Sequence, residues 1–400
     1  MRIRTATTAA LALLLAAPLA AQRRVPEDLS DTRGFNYMAA EAANHGDHFR
    51  NYDPAVTDRD LDFAARLGLN QIRVFLNMGA WDADREQFRE NLLDFMDAAE
   101  ERGMGVMPVM QYGRGITTNR EAWPEARPFV EDMVATIGTH PALAIWDVSN
   151  EPECCSQPPS ENNLIRMDNA VYLAEMFHEI DPVTPVTIGA TFAPNMITMG
   201  DAVDVLSFHN YSETRAEIRA EIERAKSYAA EVGKPLINTE IGAPGRNNPY
   251  DVSVEEYMKA GVGWYIWELM VTGNWGKVQG IFYPDGSVRD PAAAAALLGI
   301  FRSRNPDNLL IVPDDEGRIT RAVENNREWV SDANADWERG LELAEASAFL
   351  LESNQLTALI VPPTQKVDVL RDGVPDMDAL RELIEEFTAD LEPWKIPEEP

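Results

Sequence analysis

The sequence predicts an α/β protein built as a (β/α)8 barrel of the TIM type, with a C-terminal acidic helical extension. Three observations predict it. From residue 34 onward, eight short apolar runs alternate with amphipathic helical patterns. The runs are mostly continuous rather than alternating, as expected of parallel strands buried on both faces. The series occupies about 270 of the 400 residues, close to the roughly 250 of a typical barrel. A doubly wound open sheet would want a glycine-rich phosphate loop after its first strand. Ala39-Ala40-Glu41-Ala42 stands there instead.

Taken in order, residues 1–21 read as a secretory signal peptide. Arg2 and Arg4 form its positive start, and the apolar run 9–17 is too short to span a bilayer. Ala20 and Ala21 offer the cleavage site. The expected location is therefore secreted or periplasmic, with no membrane attachment after processing. The barrel domain is expected over 22–304. Its strands are predicted at 34–38, 71–76, 105–110, 143–150, 185–190, 204–211, 235–242 and 263–269. The helices between them are predicted at 57–67, 85–102, 127–139, 163–180, 213–232 and 252–260, with 291–303 closing the series. Gly68, Gly103, Gly233 and Gly261 stand just past four of these helices, where a C-cap glycine belongs. The stretch 190–204 has room only for a short turn or helix.

Residues 305–400 differ in character, holding 8 Lys+Arg against 23 Asp+Glu. Helical patterns cover 318–352 and 377–391, and the proline-rich acidic tail 392–400 is expected to be disordered. These helices would pack on the barrel or mediate a homo-oligomer.

The whole chain carries 35 Lys+Arg against 66 Asp+Glu, a net charge of −31. Phosphate binding runs on basic side chains and counterion release, so nucleic acid is excluded as a partner. Two cysteines rule out a disulfide scaffold, and five histidines leave little room for a His-rich metal centre. His45, His48, His140 and His178 show no convergent ligand pattern, and no cofactor is signalled. Cys154 and Cys155 are adjacent. Neighbouring Cα atoms sit about 3.8 Å apart, below the roughly 4.4–6.8 Å of an ordinary disulfide. A strained vicinal bond, free thiols and intermolecular bonds all remain open.

In such a barrel the chemistry lies at the C-terminal ends of the strands. Arg73 is on strand two, and strand four ends Trp146-Asp147-Val148-Ser149-Asn150-Glu151-Pro152. Strand six ends Ser207-Phe208-His209-Asn210-Tyr211, and strand seven ends Asn238-Thr239-Glu240-Ile241-Gly242. Strand eight carries Trp264 and Trp267-Glu268. Two strand-end glutamates among an arginine, a histidine, a tyrosine and tryptophans suit glycoside hydrolysis. That reaction needs two carboxyl groups held at different proton affinities.

These pieces resemble the clan A retaining glycoside hydrolases, closest in pattern to the family five cellulase-like and mannanase-like enzymes. The matching stretches are Ile145 to Pro152, Ile237 to Gly242, Arg73, His209-Asn210-Tyr211, Trp267 and the turn from Gly280 to Pro291. The resemblance spans roughly residues 30–303. It implies Glu151 as general acid/base and Glu240 as nucleophile. It implies that Asn150 binds a sugar 2-hydroxyl, that Arg73 and Tyr211 hold the nucleophile ionised, and that Trp267 floors the sugar site. His209 would contact the substrate or the acid/base. Asn36, Gln111 and Trp275 complete the expected substrate contacts. Many family members carry a histidine where this chain has Met110-Gln111-Tyr112, and Gln111 is read as replacing its hydrogen bond.

The substrate implied is a β-linked oligo- or polysaccharide. A strongly anionic one is not expected, because Arg73 is the only cation predicted at a strand end. The competing readings are a non-catalytic carbohydrate-binding barrel and a transglycosylase. Asp147 and Glu268 are read as core-paired, Trp146 as core, and Trp81 and Trp123 as outer-subsite or loop-pinning residues.

Overall fold

The structure is a computed structural model, and it describes residues 23–154, 159–246, 248–272 and 276–301. The expected leader at 1–21 and the extension at 305–400 lie outside these, as do Cys155 and Trp275.

Eight parallel strands form the sheet: β1 Arg33–Tyr37, β2 Gln71–Asn77, β3 Gly105–Gln111, β4 Trp146–Asn150, β5 Val186–Gly189, β6 Leu206–His209, β7 Leu236–Ile241 and β8 Gly263–Ile266. They are ordered β5-β4-β3-β2-β1-β8-β7-β6. The seam between β5 and β6 is closed by the parallel bridge Ala190–Phe208 and the bond from His209 N–H to the Ala190 carbonyl, 2.7 Å. The TIM barrel is thereby complete. All eight strands fall where the apolar runs predict them. The fourth begins later than expected, at Trp146, because 140–143 turns back on itself through Leu143 N–H to the His140 carbonyl.

Helices α1 His45–Arg50, α2 Pro54–Arg66, α3 Met78–Ala83, α4 Arg85–Glu101, α5 Arg114–Thr118 and α6 Arg127–Ile137 surround the first half. Helices α7 Glu161–Ile180, α8 Ala193–Met199, α9 Arg215–Val232, α10 Tyr250–Ala260, α11 Gly276–Gln279 and α12 Pro291–Leu297 surround the second. The long ones form because their apolar residues recur at helical spacing. In α4, Phe88, Leu92, Phe95, Met96 and Ala99 all face the strands and are buried. In α9, Thr214 and Glu217 make a reciprocal capping box at the start. Gly233 ends the helix with φ 66°, a left-handed conformation glycine adopts without steric cost. The short helices α1, α3, α5 and α11 were not predicted. Each has too few residues for a periodic pattern to register, and each sits in a loop over the strand ends.

Inside the barrel, Met107, Ile145, Val205, Ile237 and Tyr265 make an apolar layer separate from the larger core between strands and helices. Stepping two residues along a strand keeps a side chain on the same face. From Ile145, Val205 and Ile237 this step leads to Asp147, Ser207 and Thr239, all buried. The barrel interior therefore turns from apolar to polar toward its C-terminal end, and the chemistry begins there.

Candidate active site

Arg73 occupies the axis of this polar layer with no solvent exposure. Its Nε and Nη2 donate to Asp147 Oδ2 at 3.0 and 2.8 Å. Nη1 donates to Asn36 Oδ1 at 2.8 Å and Glu240 Oε1 at 2.6 Å, and Nη2 also to Asn150 Oδ1 at 2.6 Å. Burial alone would lower the guanidinium's pKa. The Asp147 and Glu240 carboxylates outweigh that and hold it above the ordinary arginine value. Gly189 on β5 makes room for this packing. A Cβ there would lie 2.9 Å from Arg73 Nη2 and 3.0 Å from His209 Nε2.

Strict alternation would not bring Asn150 or Glu240 to Arg73. On β4, Asp147 points inward, so Asn150, three residues on, should face the helices. On β7, Thr239 bonds Ser207 inside the barrel at 2.6 Å, so Glu240 should face out. Each strand carries one surplus residue at this point. Asp147 and Asn150 pair with Thr187 and Gly189, and Phe208 and His209 pair with Asn238 and Glu240. Such bulges re-aim side chains near active sites, and here they turn both residues inward.

Glu240 is 4% exposed. Besides Arg73 on Oε1, its Oε2 accepts from Tyr211 Oη at 2.7 Å and lies 3.3 Å from His209 Nδ1. Glu151 follows β4 directly. Its backbone has φ 45°, a left-handed conformation uncommon for a residue with a side chain, and its N–H bonds the Gly189 carbonyl at 2.7 Å. That turn swings Glu151 Oε1 to 2.7 Å from His209 Nδ1. One oxygen of each glutamate and a His209 nitrogen lie within 4.8 Å of one another. Burial, reinforced by the Arg73 charge, pushes the His209 pKa down to about 4 despite the neighbouring carboxylates, so the ring is neutral near pH 7.

The other expected residues are placed as follows. Trp267 follows β8, half-buried, its ring edge-on to Phe75 and His45 at 6.0 and 6.2 Å. Phe75 and His45 stack on each other at 4.2 Å. Asn36 is buried, giving Nδ2 to the Thr239 and Ile266 carbonyls at 2.9 and 3.1 Å and its oxygen to Arg73. It braces the arginine and has no amide group left to offer a sugar. Gln111 ends β3 and accepts at Oε1 from Asn77 Nδ2, 2.9 Å. Asp147 is the core partner expected of it. Glu268 is buried beside Thr272, and burial holds its carboxyl up to about 8. Trp146 is core, bonded to Asp181, while Trp81 is buried and pinned to Asp132 at 2.6 Å. Trp123 packs on Tyr172 and Arg120. Cys154 is disulfide-bonded.

Sequence reasoning missed His45 and Phe75. Phe75 sits two residues beyond Arg73 on the same strand face, a signal that could have found it. His45 arrives on an unpredicted helix. Metal-ligand spacing occurs twice among the described residues, at exposed Asp97 and Glu100 with half-buried His140, and at Glu151, His209 and Glu240. In the second group Arg73 already supplies the positive charge beside Glu240.

Residues 92–272 match the family model described as "Glycosyl hydrolases family 2, TIM barrel domain". The matched span holds Glu151 and Glu240 but stops short of Arg73. The β-glucuronidase of Paenibacillus borealis is 22% identical over 235 residues, covering 52% of this chain and 37% of that protein. Among solved structures, the GH5_18 protein of Streptomyces cattleya in complex with Manβ1-4GlcNAc superposes with a TM-score of 0.56 at 17% identity, over 70% of this chain and 81% of that one. The exo-β-1,4-mannosidase Op5Man5 of the Opitutaceae bacterium strain TAV5 gives 0.54 at 15%, over 70% and 60%. The chain thus spans well under two thirds of the glucuronidase and 60% of the mannosidase. At these identities the structural likeness is one of fold. The chain is a TIM barrel, and residues 92–272 of it are similar to the barrel domain of the family-two glycosyl hydrolases. The family five resemblance is matched by structural neighbours, whereas the sequence model that fits is that of family two.

Proposed function

We propose that this barrel is a retaining glycoside hydrolase that cleaves β-linked glycans by double displacement. Glu240 is the nucleophile and Glu151 the general acid/base. The carrying observation is the asymmetric environment of two carboxyls whose oxygens lie within 4.8 Å. Glu240 receives hydrogen bonds from a guanidinium and a phenol. Glu151 bonds the His209 ring at Nδ1, 2.7 Å. It faces the negative charge of Glu240 across a neutral His209, which favours its protonated form. The spacing suits the roughly 5–5.5 Å of retaining enzymes rather than the roughly 6.5–9.5 Å of inverting ones.

The chemistry follows from that asymmetry. Glu240 attacks the anomeric carbon while Glu151 protonates the departing oxygen. Once Glu240 is esterified its charge is gone, the proton affinity of Glu151 falls, and Glu151 can take a proton from the incoming water. Asn150, held by Arg73, presents its amide nitrogen toward the sugar, and Trp267 with His45 and Phe75 forms the apolar wall. The β-glycosidic activities named for the relatives support this reading.

The test is replacement of each glutamate. Glu240→Ala and Glu151→Ala should each lower turnover of an aryl β-glycoside by several orders of magnitude. Azide should restore Glu240→Ala with inverted product, and the wild type should release product of retained configuration. Activity surviving both replacements would overturn the assignment.

A further inference from the structure

Beside Asn150 lies a cavity of about 190 Å³. At roughly 30 Å³ per water it holds about six water volumes, enough for one substituent and its hydration but not for a chain of sugars. Its polar walls come from Gln111, Tyr112, Thr117, Ser149, Asn150 and Arg166, and its apolar ones include Phe75 and Met110.

The hydroxyls of Tyr112, Thr117 and Ser149 can donate or accept, but the amides and the guanidinium in those walls are fixed as donors. Asn150 Oδ1 is held by Arg73, which can only donate. Gln111 Oε1 is held by Asn77 Nδ2, whose own oxygen caps Ala80 N–H, so neither amide can be flipped. Both amides therefore offer NH₂ groups. Arg166, on the second turn of α7, gives Nη2 to the Cys154 carbonyl at 2.6 Å. Its Nε is buried with no partner among the described residues, and the Tyr112 hydroxyl is likewise buried and unpartnered. Among the described residues no carboxylate lines the cavity and none pairs with Arg166. In a chain with 66 acidic residues, a guanidinium so placed, beside two fixed amide donors and hydroxyls that can turn to donate, selects for an acceptor-only, negatively charged group.

We infer that this cavity is a subsite for one anionic substituent of the glycan, a carboxylate or a sulfate ester, with Arg166 as its counter-charge. The inference rests on the glycosidase reading and names the substrate class of that site. It revises the expectation of a neutral substrate, since Arg166 lies on a helix and not at a strand end.

The test uses the full chain and three probes: 4-nitrophenyl β-glucuronide, 4-nitrophenyl β-glucoside and its 6-sulfate. The wild type should prefer an anionic probe, with a KM that rises with salt. Glucuronide over sulfate identifies a carboxylate subsite, and the reverse a sulfate one. Arg166→Gln should reduce the anionic-to-neutral ratio of kcat/KM by about 10–100-fold, mainly through KM. Gln111→Glu, which leaves the Cys154 contact alone, should reduce it in the same direction. Equal losses on charged and neutral probes would assign Arg166 to loop anchoring only and overturn the subsite, as would a wild-type preference for the neutral glycoside. If no probe is hydrolysed, the glycosidase reading fails, and calorimetry with free glucuronate decides the subsite. Binding that is lost in Arg166→Gln supports it; no binding in the wild type overturns it.

Discussion

Arg73 Nη1 lies 2.6 Å from Glu240 Oε1, and the two meet inside the barrel with almost no solvent between them and the apolar layer below. The same guanidinium grips Asp147. Arg73→Ala would strand two buried carboxylates, which typically costs about 3–5 kcal/mol. Arg73→Lys keeps the charge but cannot reach Asp147, Asn36, Asn150 and Glu240 together. Urea unfolding should show a large loss of stability for the alanine variant and a smaller one for lysine. Turnover should fall at least 100-fold in both.

Gly189 on β5 faces both Arg73 and His209 with no side chain between them. Gly189→Ala would introduce a methyl at 2.9 Å from Nη2 and 3.0 Å from Nε2. Overpacking of this kind costs about 1–3 kcal/mol. Because the clash falls on the group that holds Glu240, turnover should drop by a larger factor than the shift in thermal midpoint suggests.

Glu151 sits at φ 45°, a conformation that costs a residue with a Cβ about 1–3 kcal/mol. Two inactive variants should therefore differ in stability. Glu151→Gly should unfold at a higher denaturant concentration than Glu151→Ala, the reverse of the order expected in a strand or helix.

Buried titratable groups set opposing pH limbs. Burial presses His209 and His45 down to about 4 and His48 to about 3, against 6.5 for a free histidine. The unfolded chain takes up these protons first, so stability falls as pH drops from about 6.5 toward 4. Glu268 acts in the other sense. Its folded carboxyl is held up to about 8 against an ordinary 4.5, so the folded chain keeps a proton that the unfolded one releases. Stability then declines as pH rises from about 4.5 to 8. Of these four groups only Glu268 acts above pH 6.5. Urea midpoints measured from pH 4 to 9 should peak near 6.5, and Glu268→Gln should abolish the alkaline decline.

The barrel was legible because its strands are continuous apolar runs and its long helices end on glycines. The two glutamates were legible because they follow such runs directly. What escaped the sequence was phase. Alternation read from Ile145 or Ile237 places Asn150 and Glu240 on the helix side, and only the pairing with β5, β6 and β8 reveals the surplus residues. Asn36 was expected at the sugar and instead braces Arg73, because a strand position alone does not say which neighbour claims an amide. His45 rode in on a six-residue helix with no periodicity to announce it. Arg166 stayed hidden because a place on the second turn of a helix does not say which cavity its side chain walls.

The surplus residue of β7 separates architecture from catalysis. Removing Thr239 would restore regular alternation and drop Glu240 into the inward place that Thr239 holds opposite Ser207, one residue deeper than the site. A barrel with an intact exterior and no reactive centre would lie one codon away from an enzyme. Gain and loss of activity in scaffolds of this kind could therefore run through single insertions and deletions, to which comparisons of residue identity at aligned positions are blind.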